Sequence, residues 1–136
     1  MSHECNNFLM TCIDFRFQRA IADWTNENGL TKDYDLVSIA GVQKSILDED
    51  TKEAALKQLD ISVRLHKVNT VMLIAHQDCG AYGGSDAFDS WEDEKQRYID
   101  DMNAAEEIIV KKFKGLMVKK MILTFDEDNN VEINEV

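Results

Sequence analysis

Apolar positions along the chain fall into two kinds of pattern. Short unbroken runs, Phe8 to Ile13 and Val71 to Ala75, have the length and composition of strands buried on both faces. Between them the apolar residues spread to helical spacing. Phe17, Ala20, Ile21 and Trp24 recur on one face until Asn28-Gly29, a helix stop signal. Tyr34 to Ala40 reads as a second strand and Gly41 to Glu49 as a loop. Asp50 with Glu53 forms a capping box that opens a helix running towards His66, with Leu56, Leu59 and Val63 facing inward. After the third strand, Val71 to Ala75, the stretch Gly80-Ala81-Tyr82-Gly83-Gly84 is a loop. Asp89 with Glu92 caps a long helix whose buried stripe is Trp91, Tyr98, Met102, Ala105 and Ile109, ending between Phe113 and Gly115. Val118 to Phe125 follows as a fourth strand. Val131 to Val136, after the Asp128-Asn129-Asn130 turn, adds a short antiparallel edge strand.

Strands that alternate with helices predict an α/β fold: three layers, α-β-α, around a mostly parallel four-stranded sheet with right-handed crossovers, plus the antiparallel edge strand. With 136 residues, 44% of them hydrophobic, the chain has material for one core, so a single domain over 1–136 is expected. There is no proline, and no repeat or low-complexity segment, to mark a linker.

The net charge of -11 changes the list of partners more than the fold. Nucleic acid and anionic membrane surfaces would repel such a chain, so neither is expected as a partner. No apolar run has the length of a membrane span, and the N-terminal residues have neither the basic region nor the apolar stretch of a signal peptide, so a cytoplasmic location is expected. In a reducing compartment Cys12 and Cys79 read as metal ligands rather than as a disulfide, and Cys5 is left over.

Candidate chemistry gathers just after the first and third strands. Thr-Cys-Ile-Asp-Phe-Arg-Phe supplies Cys12, Asp14 and Arg16, and Ala-His-Gln-Asp-Cys-Gly supplies His76 and Cys79. Two thiolates and an imidazole are ligands that tetrahedral zinc prefers, and three protein ligands leave a fourth position for water, which zinc makes acidic enough to act as a nucleophile near neutral pH. In parallel sheets the ligand crevice lies beyond the carboxyl ends of the strands. If the first and third strands are neighbours, about 4.8 Å apart, the two clusters converge on one ion. The composition is that of a zinc hydro-lyase or hydrolase.

Cys-x-Asp-x-Arg after one strand and His-x-x-Cys-Gly after a later one resemble the β-class carbonic anhydrases. The likeness covers most of residues 8 to 136 and implies the same fold, one zinc per chain held by Cys12, His76 and Cys79, and reversible hydration of carbon dioxide to bicarbonate through a zinc-bound hydroxide. It implies a homodimer or larger homo-oligomer. Asp14 would orient the attacking oxygen and Arg16 would hold Asp14 by a bidentate pair. Without that hold Asp14 would swing onto the zinc and close the site, and the resembled family includes both arrangements. The chain departs from the family at the second strand. Where the family has Arg-Asn-Ala-Gly-Asn, this sequence has Ser38-Ile39-Ala40-Gly41-Val42, without the flanking polar groups. A more apolar pocket lined by Ile39, Val42 or Phe15 is expected, suited to a neutral linear molecule: carbon dioxide, carbonyl sulfide or carbon disulfide.

Blander readings compete with these. Cys12 or Cys79 taken singly reads as a small core residue, and Asp14 with Arg16 as a structural ion pair. Asp78 reads as a turn residue beside the site, His66 as a helix-end residue rather than a proton shuttle, and the charge-dense stretches Asp48 to Lys52 and Glu92 to Arg97 as solvated faces. Three other functional classes have sequence marks of their own. A non-catalytic zinc module would have Asp14 as fourth ligand. A thiol phosphatase or arsenate reductase needs an arginine six residues after the cysteine, where this chain has Gln18. A redox protein needs a nearby resolving thiol, which is missing here.

Overall fold

The computed structural model describes residues 3–136, so Met1 and Ser2 of the expected 1–136 unit lie outside the described residues. The elements are β1 (Asn7–Thr11), α1 (Gln18–Glu27), β2 (Tyr34–Ser38), α2 (Lys44–Leu47), α3 (Lys52–Ile61), β3 (Thr70–His76), α4 (Trp91–Lys112), β4 (Met117–Phe125) and β5 (Val131–Glu135). A π-helical turn, Ser62–His66, extends α3 to His66, as the sequence predicts. The five strands form one sheet in the order β2-β1-β3-β4-β5, with every pair parallel except β4 with β5. Successive strands leave β1 in opposite directions, so the crevice at the carboxyl ends of β1 and β3 is the place where a parallel sheet opens for a ligand.

The two faces of the sheet are covered unequally. On one face Phe8, Met10, Val71 and Leu73 pack with Ile46 of α2, Leu56 and Leu59 of α3, and Tyr98, Met102, Ala105 and Ile109 of α4. On the other, Leu9, Met72, Ile74, Met121 and Leu123 pack with Phe17 and with Ile21 of α1. Side chains alternate across a strand, so β1 and β3, apolar from Phe8 to Met10 and from Val71 to Ala75, feed both cores at once. This produces the three expected layers.

Four details differ from the sequence reading. The segment Gly41 to Glu49 is not a loop throughout but contains α2, whose Ile46 is buried; one helical turn is too short to show a period. Neither expected capping box forms: Thr51, not Asp50, precedes α3 and its side chain makes no cap, and α4 is capped one residue later than expected, by Ser90 accepting from the Asp93 N–H at 3.1 Å. Glu94, in a stretch read as solvated, is 1% exposed. Phe15, expected to line a pocket, is 87% exposed.

Candidate metal centre

The register of the sheet brings the two clusters together. Thr11 at the end of β1 lies opposite Ile74 of β3, so Cys12 leaves the sheet beside Ala75 and His76. The chain after β1 is pinned in place. Gln18 Nε2 donates to the carbonyls of Cys12 at 3.1 Å and Asp14 at 3.0 Å, and Ser38 Oγ donates to the Cys12 carbonyl at 3.2 Å. Gln18, the residue that argued against a thiol phosphatase, thus serves to brace the loop.

Cys12, His76 and Cys79 are all buried, and their ligand atoms lie within 4.8 Å of one another. Both sulfurs are free thiols. His76 Nδ1 lies 2.7 Å from the Gln77 carbonyl, an acceptor, so Nδ1 carries the proton and Nε2 keeps its lone pair. Nε2 is buried without a hydrogen-bond partner. A lone pair desolvated in this way is costly unless something accepts it, and a cation between the imidazole and the two sulfurs does so. The donor set therefore fits a metal ion. The Cys12 thiol is pulled down chiefly by the neighbouring Cys79, while Cys12 in turn pushes Cys79 up. Burial pulls His76 down, but the neighbouring Cys12 and the Gln77 carbonyl outweigh it and leave its pKa raised.

Asp14 and Arg16 stand at the mouth of this group. Arg16 Nε and Nη2 donate to the two carboxylate oxygens of Asp14 at 3.0 and 2.7 Å, the bidentate geometry expected, and the Arg16 backbone N–H adds a third bond at 2.9 Å. The guanidinium beside it holds the Asp14 carboxyl down at about 2. Asp14 Oδ2 lies 3.8 Å from His76 Nε2. Arg16 in turn is anchored by Asp78, whose Oδ2 accepts from Nη1 at 2.9 Å and whose carbonyl accepts from Nη2 at 3.0 Å. Asp78 also accepts from the Ser85 N–H at 2.8 Å, and that bond, with Arg16, depresses its pKa. It therefore braces its turn, as read, and also serves as the second carboxylate of the arginine clamp.

Three residues that the sequence did not mark for this site, Glu94, Tyr98 and Gln43, complete the surroundings. Glu94 accepts from the Tyr98 hydroxyl, the Asp78 N–H and the Ser85 hydroxyl, each at 2.7 Å, tying α4 to the loop that carries Cys79. Tyr98 Oη is also 3.4 Å from the Cys79 N–H. Gln43, just after the Ala40-Gly41-Val42 segment thought poor in polar groups, is fully buried and lines a hollow with Val42, His76 and Cys79. A glutamate amid charged residues and a glutamine after an apolar pair carry no sequence signal for this. Ile39 does not line the hollow but packs, half buried, against the core.

A second grouping, Cys5, Asp35 and His66, lies at the opposite, amino-terminal end of the strands. There His66 Nδ1 and the Ser62 hydroxyl already hydrogen-bond Asp35 Oδ2 at 2.7 and 2.6 Å, so the polar atoms satisfy one another. His66 is separated from the metal group by the length of β3, roughly 20 Å for seven residues. Among the described residues no helix is long and apolar enough to cross a membrane.

Two relatives align with 91% of this chain: an uncharacterized protein of Rickettsia bellii (strain RML369-C), 25% identical over 130 residues and covered over 79% of its length, and an uncharacterized protein of Rickettsia conorii (strain Malish 7), also 25% identical over 130 residues and covered over 70%. A family model described as "Putative carbonic anhydrase" matches residues 2–134, the span that carries both halves of the Cys12, His76 and Cys79 group, and the chain belongs to that family.

Proposed function

We propose that the protein is a zinc-dependent lyase that interconverts carbon dioxide and bicarbonate, with one zinc per chain held by Cys12, His76 and Cys79. The observation that carries this reading is the buried, unpartnered Nε2 of His76, grouped with two cysteine sulfurs so that all three atoms lie within 4.8 Å of one another. Zinc in such a site supplies a Lewis-acidic position at which water deprotonates near neutral pH. The protein side chains do the rest. Asp14, an acceptor with its carboxyl held ionised by Arg16, fixes the direction in which a hydrogen on the incoming oxygen points. Arg16, locked between Asp14 and Asp78, keeps Asp14 away from the ligand position. This favours the open, catalytic reading over a closed zinc module in which Asp14 is a fourth ligand.

Carbonyl sulfide and carbon disulfide are the alternative substrates, since they share the linear, hydrogen-free shape of carbon dioxide. We also propose a homo-oligomeric, cytoplasmic enzyme, on the family likeness and the charge of -11. Stopped-flow hydration of carbon dioxide, run beside sulfide release from carbonyl sulfide across pH, tests the assignment. Turnover of carbon dioxide that is lost on Cys79→Ser supports it; zinc-loaded protein with no turnover of either substrate at any pH refutes it.

A further inference from the structure

Cys5 is the cysteine that the metal centre does not use, yet the fold gives it two neighbours of ligand type. Its backbone N–H donates to the His66 carbonyl at 2.9 Å, which ties the segment before β1 to the π-helical end of α3. Asp35, on the edge strand β2, stands in register with Phe8 of β1 and completes the group. One ligand atom from each of Cys5, Asp35 and His66 lies within 4.8 Å of the other two, the same limit that holds for Cys12, His76 and Cys79. The three come from stretches far apart in sequence, so folding itself assembles them.

The local backbone is unusual at this point. From Ser62 to His66 the helix widens from α to π, a form that is rare and concentrates at functional sites. The widened turn brings the Ser62 hydroxyl and His66 Nδ1 to one oxygen of Asp35, Oδ2, at 2.6 and 2.7 Å. With its Nδ1 proton turned to a carboxylate, the imidazole keeps a lone pair on Nε2, the arrangement that makes a histidine a better metal ligand. Among the described residues no hydrogen bond reaches Asp35 Oδ1 or His66 Nε2, and the Cys5 thiol has only a weak contact, Sγ to the Asn7 carbonyl at 3.7 Å. Each side chain therefore keeps a lone pair for an ion even though Nδ1 and Oδ2 satisfy each other. All three residues are half-buried, and a cleft of about 250 Å3 lined by Asp35, Ser62 and His66 lets solvent in from one side.

We propose that Cys5, Asp35 and His66 form a second metal site, at the amino-terminal end of the sheet, for a borderline divalent cation: Zn2+, or Co2+ in its place. One thiolate and one carboxylate balance the charge of such an ion, as two thiolates do at Cys12 and Cys79. Mg2+ and Ca2+ require oxygen donors and do not fit a set that contains sulfur and imidazole. With a single soft sulfur and a side open to solvent, this site holds its ion more weakly than the metal centre. The length of β3 separates the two, so the second ion has no part in the reaction. It cross-links the segment before β1, the edge strand and the end of α3, and an ion that binds only the folded chain stabilises it. None of the three residues belongs to the proposed reaction, so the two sites can fail separately.

The test is equilibrium dialysis of the full chain against Co2+, with bound metal counted by elemental analysis and thiolate coordination read from the near-ultraviolet charge-transfer absorption. The wild-type chain should take up about two ions of unequal affinity. Cys5→Ser and His66→Gln should each lose the weaker ion and keep the tighter one, whereas Cys79→Ser should lose the tighter ion and keep the weaker. Cys5→Ser exchanges a single atom and carries the test if His66→Gln does not fold. Saturation of the wild-type chain at one ion, which Cys79→Ser removes, overturns the second site and leaves the metal centre standing. A second ion retained in both Cys5→Ser and His66→Gln overturns it as well. Saturation at one ion that Cys5→Ser removes and Cys79→Ser keeps supports the second site and overturns the metal centre, and no uptake at all overturns both.

Discussion

On the proposed function Arg16 keeps Asp14 off the metal, and removing it should let Asp14 close the site. In Arg16→Met, Asp14 loses the bonds from Nε at 3.0 Å and Nη2 at 2.7 Å and keeps only the backbone N–H. Both bonds are charge-assisted, but the side chains are 31% and 13% exposed, so solvent screens part of their strength. A net bias of about 2 kcal/mol remains, roughly 10- to 100-fold in the balance between Asp14 held by Arg16 and Asp14 free to move. Asp14 has little distance to travel. Its Oδ2 is 3.8 Å from His76 Nε2, while ligands around a tetrahedral zinc sit roughly 3.3 to 3.7 Å apart. Asp14 should therefore become a fourth protein ligand in the variant. In Co2+-loaded protein this would appear as a loss of thiocyanate affinity of roughly 10- to 100-fold. The double variant Arg16→Met/Asp14→Asn separates closure from the mere loss of a positive charge, because a neutral amide in place of the carboxylate competes poorly for the metal. Recovery of thiocyanate binding in the double variant is the expected result. Affinity within about twofold of wild type in Arg16→Met alone would refute the reasoning, and so would a double variant that stays weak.

Other consequences follow from the same geometry. Cys79→Ser and His76→Ala should each leave two good ligands and lose zinc by elemental analysis after dialysis against a chelator, whereas full retention in both would refute the ligand set. Asp14→Ala should keep its zinc while carbon dioxide turnover falls by roughly one to three orders of magnitude, and unchanged turnover would reduce Asp14 to a structural role. Glu94→Ala strands the Tyr98 hydroxyl in the core and frees the Asp78 and Ser85 donors, so the urea midpoint should drop by the equivalent of about 2–4 kcal/mol at unchanged m; a loss below about 0.5 kcal/mol would make the network dispensable. Asp14 titrates at about 2 in the folded chain, against 3.8 unperturbed, because Arg16 hydrogen-bonds its ionised form. The folded state is the weaker proton binder, so this contribution is complete above about pH 4 and is lost as pH falls towards 2. Acid unfolding curves of Asp14→Asn should be flatter in that window, and curves parallel to wild type would contradict it.

The parts of this molecule legible in its sequence are those where one residue type has one use. Unbroken apolar runs such as Phe8 to Met10 and Val71 to Ala75 are buried on both faces and suit a central parallel strand, which placed β1 and β3 inside the sheet. Cysteines and a histidine directly after such runs point together to one site, so the convergence of Cys12, His76 and Cys79 was legible once the strands were. What escaped detection depends on context. Helix α2 buries Ile46 over a single turn, below any periodic signal. Ser90 caps α4 although Asp89 beside it is an equally good capping residue by type. Glu94 looks like its solvated neighbours Glu92 and Lys95 until two donors from the preceding loop, Asp78 and Ser85, join Tyr98 of its own helix on it. Gln43 becomes distinctive only when Tyr82 and Asp101 fix which way its amide faces.

The central claim is that one metal ion is held by two sulfurs from separate strand ends and one imidazole between them. X-ray absorption at the zinc edge of the purified, zinc-loaded chain measures this directly. The account predicts two sulfur neighbours at about 2.3 Å and one imidazole nitrogen at about 2.0 to 2.1 Å, with one further light atom that is exchangeable. A shell made only of nitrogen and oxygen, or a sulfur count unchanged when Cys12→Ser is loaded in the same way, would contradict it.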